Sequence, residues 1–229
     1  ELSSTALYTV EESYDYYVDQ VDGNDSNSGT SPSSAWKTIG KISAFNFAAG
    51  ARVGLKRGCV WRETWYVNDG GNNSNHIIYG AYGKGDLPKI TSCDLVTGWT
   101  VDSGNRYKAN YTNSIDIYIL LENDVMATKV GSAAAVNGPG KFFFDDTPNI
   151  IYYWTSDGSN PNTKTMEVGA RYNSVVCDDR QYIDFYNLHF HGAGGQYGAT
   201  FEIRPTWQSP KDISIVNCKS SNAYYCGIW

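Results

Sequence analysis

Asp178, Asp179 and Arg180 stand side by side just before an alternating run that begins at Tyr182. Paired carboxylates at a strand edge can act as acid and base in glycosidic cleavage, or as hard oxygen ligands for calcium. A solvated turn explains the same residues. His189 and His191 are two residues apart, as are Glu202 and Arg204, so each pair shares one face of a strand. Together these side chains would line a polar groove, and Asp178, Asp179, Arg180, His191 and Arg204 are the catalytic candidates. An isolated H-x-H is a sparse metal signal, and ordinary surface polarity is its alternative.

Other residues suit other chemistry. Asp22, Asp25 and Asn27 offer hard oxygens to calcium, the candidate cofactor. The twelfth position is Ser33 counted from Asp22 and Trp36 counted from Asp25, so the segment is no EF-hand, and Asx-turns account for it equally. Trp61, Trp65, Tyr66, Trp154 and Trp207 are candidates for stacking on the apolar faces of sugars, with burial in the core as the alternative. Elimination chemistry on a uronate needs a base and a free cation. Lys56, Arg57, Arg62, Arg180 and Arg204 are the available cations. The five cysteines form no CxxC pair and read as small buried hydrophobes.

These side chains need a scaffold. The 229 residues are 41% hydrophobic, enough for a core, and only 18% charged, with 23 Gly and 18 Tyr. Such a composition favours short strands and many turns. A net charge of −6 speaks against a nucleic-acid or anionic-membrane binder. No apolar run reaches the roughly 18 residues that would span a membrane. The chain begins with Glu and lacks a signal-like leader, which suggests a removed signal peptide or a start inside a longer gene.

Residues 1–15 read as a flexible segment. The spacing of Trp36, Ile39 and Phe47 predicts a helix over 36–47, with Ser33 or Ser34 as its cap. Strands follow up to residue 91. Between 92 and 168 the turns fall at intervals that suit antiparallel meanders, so this stretch reads as an insert. From 169 to 229 a repeat emerges. Ile183, Phe185, Asn187 and Leu188 recur thirty residues on as Ile213, Ile215, Asn217 and Cys218. Apolar residues alternate up to each Asn and then change parity, as a strand does when it turns a corner at a left-handed Asn. Stacked units of this kind are the coils of a parallel β-helix.

Tyr17-Val18-Asp19, the run Gly23 to Ser31, and Ala35-Trp36-Lys37-Thr38-Ile39 carry a resemblance. Gly58-Cys59-Val60-Trp61-Arg62-Glu63 and the run Ile78 to Ile90 extend it. The chain resembles the opening of secreted β-helix proteins of the pectate-lyase-like superfamily, closely over 16–91 and loosely over 175–229. The resemblance implies an all-β fold: a right-handed parallel β-helix (solenoid) with an N-terminal capping helix and an inserted antiparallel β region. Its coils would be incomplete at the C-terminal end, leaving an edge open to self-association. It further implies a secreted or cell-surface protein with a polysaccharide partner. A polysaccharide lyase acting on an acidic glycan leads and a glycoside hydrolase stands second. The alternative is a non-catalytic module for attachment or assembly, as in tailspikes, adhesins or extracellular filaments.

Overall fold

A computed structural model describes residues 13–112, 115–204 and 212–229. Residues 1–12 of the expected flexible segment lie outside the described residues. Among those described, the chain is all-β apart from one short helix and three 3-10 turns, and its strands form five separate sheets.

Three sheets are parallel. The first joins Tyr16–Val18, Arg52–Lys56, Ile77–Tyr82, Ile183–Tyr186 and Ile213–Val216. The second joins Val60–Trp61, Lys89–Thr91, His189–Ala193 and Lys219–Ala223. The third joins Trp65–Val67, Val175–Asp178, Ala199–Arg204 and Cys226–Ile228. Four successive passes of the chain each give one strand to each sheet. The thirty-residue offset is seen directly, with Ile183 opposite Ile213 and Phe185 opposite Ile215. Between the first and second sheets the chain turns at Asn187 (φ 57°) and Asn217 (φ 52°). The short amide side chain tolerates this left-handed backbone, and the Asn217 amide donates to Asn187 Oδ1.

The inward residues of the three sheets share one core. Trp65, Tyr79, Phe185, Phe190 and Phe201 pack mostly edge to face, and Tyr79 stacks on Phe185 at 5.4 Å. Offset and edge-to-face contacts are the favoured geometries for such rings.

The expectation of a single parallel β-helix solenoid of the pectate-lyase-like kind is corrected here. Residues 93–169 build two further sheets that cannot stack as coils. One pairs Cys93–Leu95, Met166–Gly169, Leu120–Glu122 and Val125–Met126 antiparallel throughout. The other is mixed: Thr100–Ser103, Arg106–Asn110, Ile150–Trp154 and Lys141–Asp145 run antiparallel, and Thr128–Lys129 joins parallel. Phe142, Phe144, Ile151 and Tyr153 alternate into a second core of their own. That alternation turns their strands away from the parallel sheets.

The helix is also shorter than its spacing predicts. It spans Ile39–Ala44, capped by Thr38 Oγ1, which accepts from Lys41 N at 3.0 Å. Glu63 accepts from Gly40 N at 2.8 Å, placing a carboxylate at the first turn. The serines cap elsewhere: Ser31, not Ser33 or Ser34, caps a 3-10 turn at Pro32–Ser34. Trp36, Phe45 and Phe47 flank the helix in extended backbone and pack with Tyr16. Of the residues that set the helical spacing, only Ile39 is in the helix, while Trp36 and Phe47 reach the same core by packing on Tyr16. Among the described residues no helix is long and apolar enough to cross a membrane.

Candidate functional site

The outward face of the third sheet gathers the most chemistry. Its register sets Tyr66 opposite Val176 and Val176 opposite Glu202, and the next outward row sets Asp178 opposite Arg204. Trp65, Val67, Val175, Cys177 and Phe201 point the other way, into the core. Trp229 donates from its backbone N to Phe201 O, and its carbonyl accepts from Ile203 N. That bracket places Trp229 opposite Glu202, on the same side of the pleat. One row across the strands is therefore Tyr66, Val176, Glu202, Trp229.

A cleft of about 650 Å³ opens over this face, lined by Tyr66 and Val176 and by Tyr172, Asn173 and Arg204. Gly195 and Gly198 make room for Tyr172. A Cβ at Gly195 would lie 2.0 Å from the Tyr172 ring, and one at Gly198 would lie 2.0 Å from its carbonyl. Glu202 is buried behind the cleft wall, held by two side chains that line it. Its Oε2 accepts from Asn173 Nδ2 at 2.5 Å and from Arg204 Nη2 at 2.6 Å. Both bonds fall on Oε2, and Oε1 receives no hydrogen bond from the described residues. The bond to Glu202 raises Arg204 above its already high range. Arg204 Nε also lies 3.9 Å from Asp178.

The cations of the cleft are all paired. Arg62 bonds Glu167 at 2.6 Å, Arg171 bonds Asp94 at 2.6 Å, and Arg204 bonds Glu202. Each lining arginine is thus already balanced by a carboxylate, which disfavours an anionic ligand at the cleft.

The other sequence candidates are dispersed. Asp179 and Arg180 border a separate recess of about 250 Å³ with Gly70, Gly71 and Tyr182, away from the cleft. His191 is fully buried: Nδ1 faces Thr91 Oγ1 at 2.9 Å and Nε2 faces Asp124 Oδ1 at 2.7 Å. It cannot touch a substrate as a catalytic residue. It ties the hairpin turn at Asp124 to the second sheet. Asp124, Glu167 and His191 bring three ligand atoms within 4.8 Å of one another, a spacing that could hold a metal ion. Lys89 stands 3.7 Å from Asp124 and Arg62 bonds Glu167, so cationic side chains already balance the two acids.

Trp61 and Trp65 are 1% exposed and belong to the core, so neither can stack on a sugar. Trp61 Nε1 donates to Lys37 O at 2.8 Å. Trp154 is half-buried on the mixed sheet, remote in register from the third sheet. Trp207 lies outside the described residues. The calcium candidates do not converge either. Asp25 accepts from Lys37 N, Thr38 N and Thr38 Oγ1; Asp22 pairs with Lys56; the Asn27 amide donates to Ala35 O. Loop hydrogen bonds and Lys56 engage the Asp25 and Asp22 oxygens, and Asn27 is held through its amide N–H.

Sequence reasoning paired Glu202 with Arg204 but passed over Tyr172, Asn173 and Trp229. Only the alternation of Trp65-Tyr66-Val67 hinted that Tyr66 faces opposite to its tryptophan neighbour.

The scaffold is all-β, and its third sheet carries the cleft described above. No family model matches the chain. It is 26% identical over 222 residues to a lacto-N-biosidase of Bifidobacterium longum subsp. longum, covering 83% of this chain and 13% of that protein. The fold resembles a solved complex of XylC with xylose, with a TM-score of 0.68, 15% identity, and coverage of 91% of this chain and 41% of that one. It also resembles a solved glycoside hydrolase, with a TM-score of 0.61, 10% identity, and coverage of 78% and 50%. The chain thus spans a small part of its curated relative and half or less of these solved chains. These likenesses correct the pectate-lyase-like assignment, the lyase and the non-catalytic tailspike or adhesin module: the similar proteins are a lacto-N-biosidase, XylC and a glycoside hydrolase.

Proposed function

We propose that this chain is part of a secreted or cell-surface glycoside hydrolase, and that the outward face of its third sheet binds the glycan. One observation carries the reading: the exposed rings of Tyr66 and Tyr172 border a cleft whose side chains Asn173 and Arg204 hold the Glu202 carboxylate. Rings stack on the apolar faces of pyranoses while a carboxylate accepts from their hydroxyls. The paired arginines favour a neutral sugar over an acidic one. The lacto-N-biosidase relative supports a glycan ending in lacto-N-biose as the substrate.

Asp178 and Glu202 stand two residues out of register on adjacent parallel strands, about 8 Å apart between Cα atoms. Inverting glycosidases hold their two carboxylates about 6.5–9.5 Å apart, with room for the attacking water. In this reading the pair flanks the glycosidic bond, and Arg204 holds both in place.

The test is calorimetric titration of the chain with lacto-N-biose. A bond to a charged group is worth about 1.5–3 kcal/mol when lost. Glu202→Ala should therefore weaken binding by roughly ten- to a hundredfold, and Lys141→Met on the mixed sheet should change it little. Equal affinity in the wild type and Glu202→Ala refutes the assignment.

A further inference from the structure

We infer that the turn 194–198 is a main-chain backing for the Tyr172 ring. It makes Tyr172 a pre-set wall for the apolar face of a neutral pyranose, with Gly195 and Gly198 as its positioning residues. This rests on the reading of the cleft as glycan-binding and adds the residues that fix its wall before the ligand arrives.

The turn joins His189–Ala193 of the second sheet to Ala199–Arg204 of the third, and it meets the segment that leads into Val175–Asp178 one pass earlier. Gly194 N donates to Arg171 O at 2.9 Å, and Gly198 N donates to Gly195 O at 3.1 Å, which closes the turn against that segment. A Cβ at Gly194 would lie 2.6 Å from Gly169 C, and one at Gly195 would lie 2.0 Å from Tyr172 Cδ1 and 2.6 Å from Cε1. None of Gly194, Gly195 and Gly198 has its φ in the left-handed region, so nothing in their φ calls for glycine. Close approach to residues 169–172 is what calls for it. Glycine loses more conformational freedom on folding than any other residue, so three placed here mark a contact that the fold maintains at a cost. Tyr172 meets main chain along its Cδ1–Cε1 edge, yet it is 55% exposed, so much of the ring stays open to the cleft. A ligand that must immobilise an exposed side chain loses affinity in doing so, whereas a ring already held by backbone spares that loss. A phenol ring so held suits the apolar face of a sugar. The paired arginines beside it favour a neutral one.

The experiment titrates the full chain calorimetrically with lacto-N-biose. Tyr172→Ala should weaken binding about tenfold, and Tyr172→Phe, which keeps the ring, should stay within about twofold of the wild type. Gly195→Ala, which displaces the ring, should weaken binding about three- to tenfold. The double variant Tyr172→Ala/Gly195→Ala should bind within about twofold of Tyr172→Ala alone, because the glycine acts only through the ring. Undiminished binding by Tyr172→Ala or by Gly195→Ala, or losses that multiply in the double variant, overturns this inference, while binding by the wild type keeps the glycan reading in place. A second measurement needs no variant. Nuclear Overhauser contacts between the Tyr172 ring and the Gly195 α-protons should be present in the free wild type and persist with ligand bound. Contacts that form only with ligand overturn the inference as well. A wild-type chain that does not bind lacto-N-biose overturns both this inference and the reading beneath it.

Discussion

Phe185→Ala should destabilise the chain by about 3–5 kcal/mol, the range for deleting a buried aromatic ring. Phe185 is fully buried at the centre of the three parallel sheets, touching Trp65, Tyr79, Phe190 and Phe201. Those partners come from all three sheets and three of the four passes, so no single element can collapse into the vacated space. Denaturant unfolding monitored by tryptophan fluorescence would measure the change. Ala at Phe143, a half-buried ring on the mixed sheet, is the matched control and should cost far less. A loss below about 1 kcal/mol at Phe185 would mean that the three sheets do not share one core.

The second large effect is acid sensitivity between about pH 6.5 and 4. Burial pushes His189 down to about 3, helped by His191, Lys89 and Lys219 nearby. His191 is also lowered, because burial and Lys89 outweigh Asp124 and Glu167. The ordinary histidine value is about 6.5, so above that pH both folded and unfolded chains are neutral and the histidines have no effect. As pH falls below it, the unfolded chain takes up protons that the folded chain refuses, and stability drops. The loss for His189 alone is on the order of 4 kcal/mol by about pH 3. Asp124 adds a later loss. Burial raises it, but His191 and Lys89 outweigh that, so its carboxyl stays below the ordinary range and its stabilisation disappears on titration through that lowered value. Melting temperature followed against pH should fall through this window. His189→Gln should flatten the profile between about pH 6.5 and 4. An unchanged slope would show that the imidazole at 189 is not the titrating group.

Much of the parallel scaffold was written in local patterns. The offset between Ile183 and Ile213, and the parity change at Asn187 and Asn217, are consequences of a strand meeting a corner. Both can be seen in the residues themselves. Alternation also separates inward from outward positions within a strand, yet it does not say which set is inward. That is why Trp61 and Trp65, attractive as sugar platforms, turned out to be core. The helix was overextended because Phe45 and Phe47 keep packing against Tyr16 after the backbone has straightened. The pectate-lyase-like resemblance rested on the opening and the repeat. It allowed for an antiparallel insert over 92–168, but the several separate sheets and the likeness to a lacto-N-biosidase contradict the solenoid and the lyase it implied.

The site was less legible. Asp178-Asp179-Arg180 is contiguous in sequence, but the positive φ of Asp179 (50°) turns the chain there. Asp178 stays on the third sheet, and the next two residues leave it. Glu202 gains its meaning from partners far away in sequence: Asn173 from the segment before the neighbouring strand, Tyr66 from the first pass, Trp229 from the fourth. Such a row is set by inter-strand register, which local periodicity does not contain.

The most direct test of the account is a chemical-shift map of the isotope-labelled chain titrated with lacto-N-biose. Shifts concentrated on Tyr66, Tyr172, Asn173 and Glu202, with the Glu202 side chain responding at the same ligand concentration as the rings, are the expected result. Saturable shifts centred on the recess at Gly70, Gly71 and Arg180, or on Trp154 of the mixed sheet, with the third sheet silent, would contradict it.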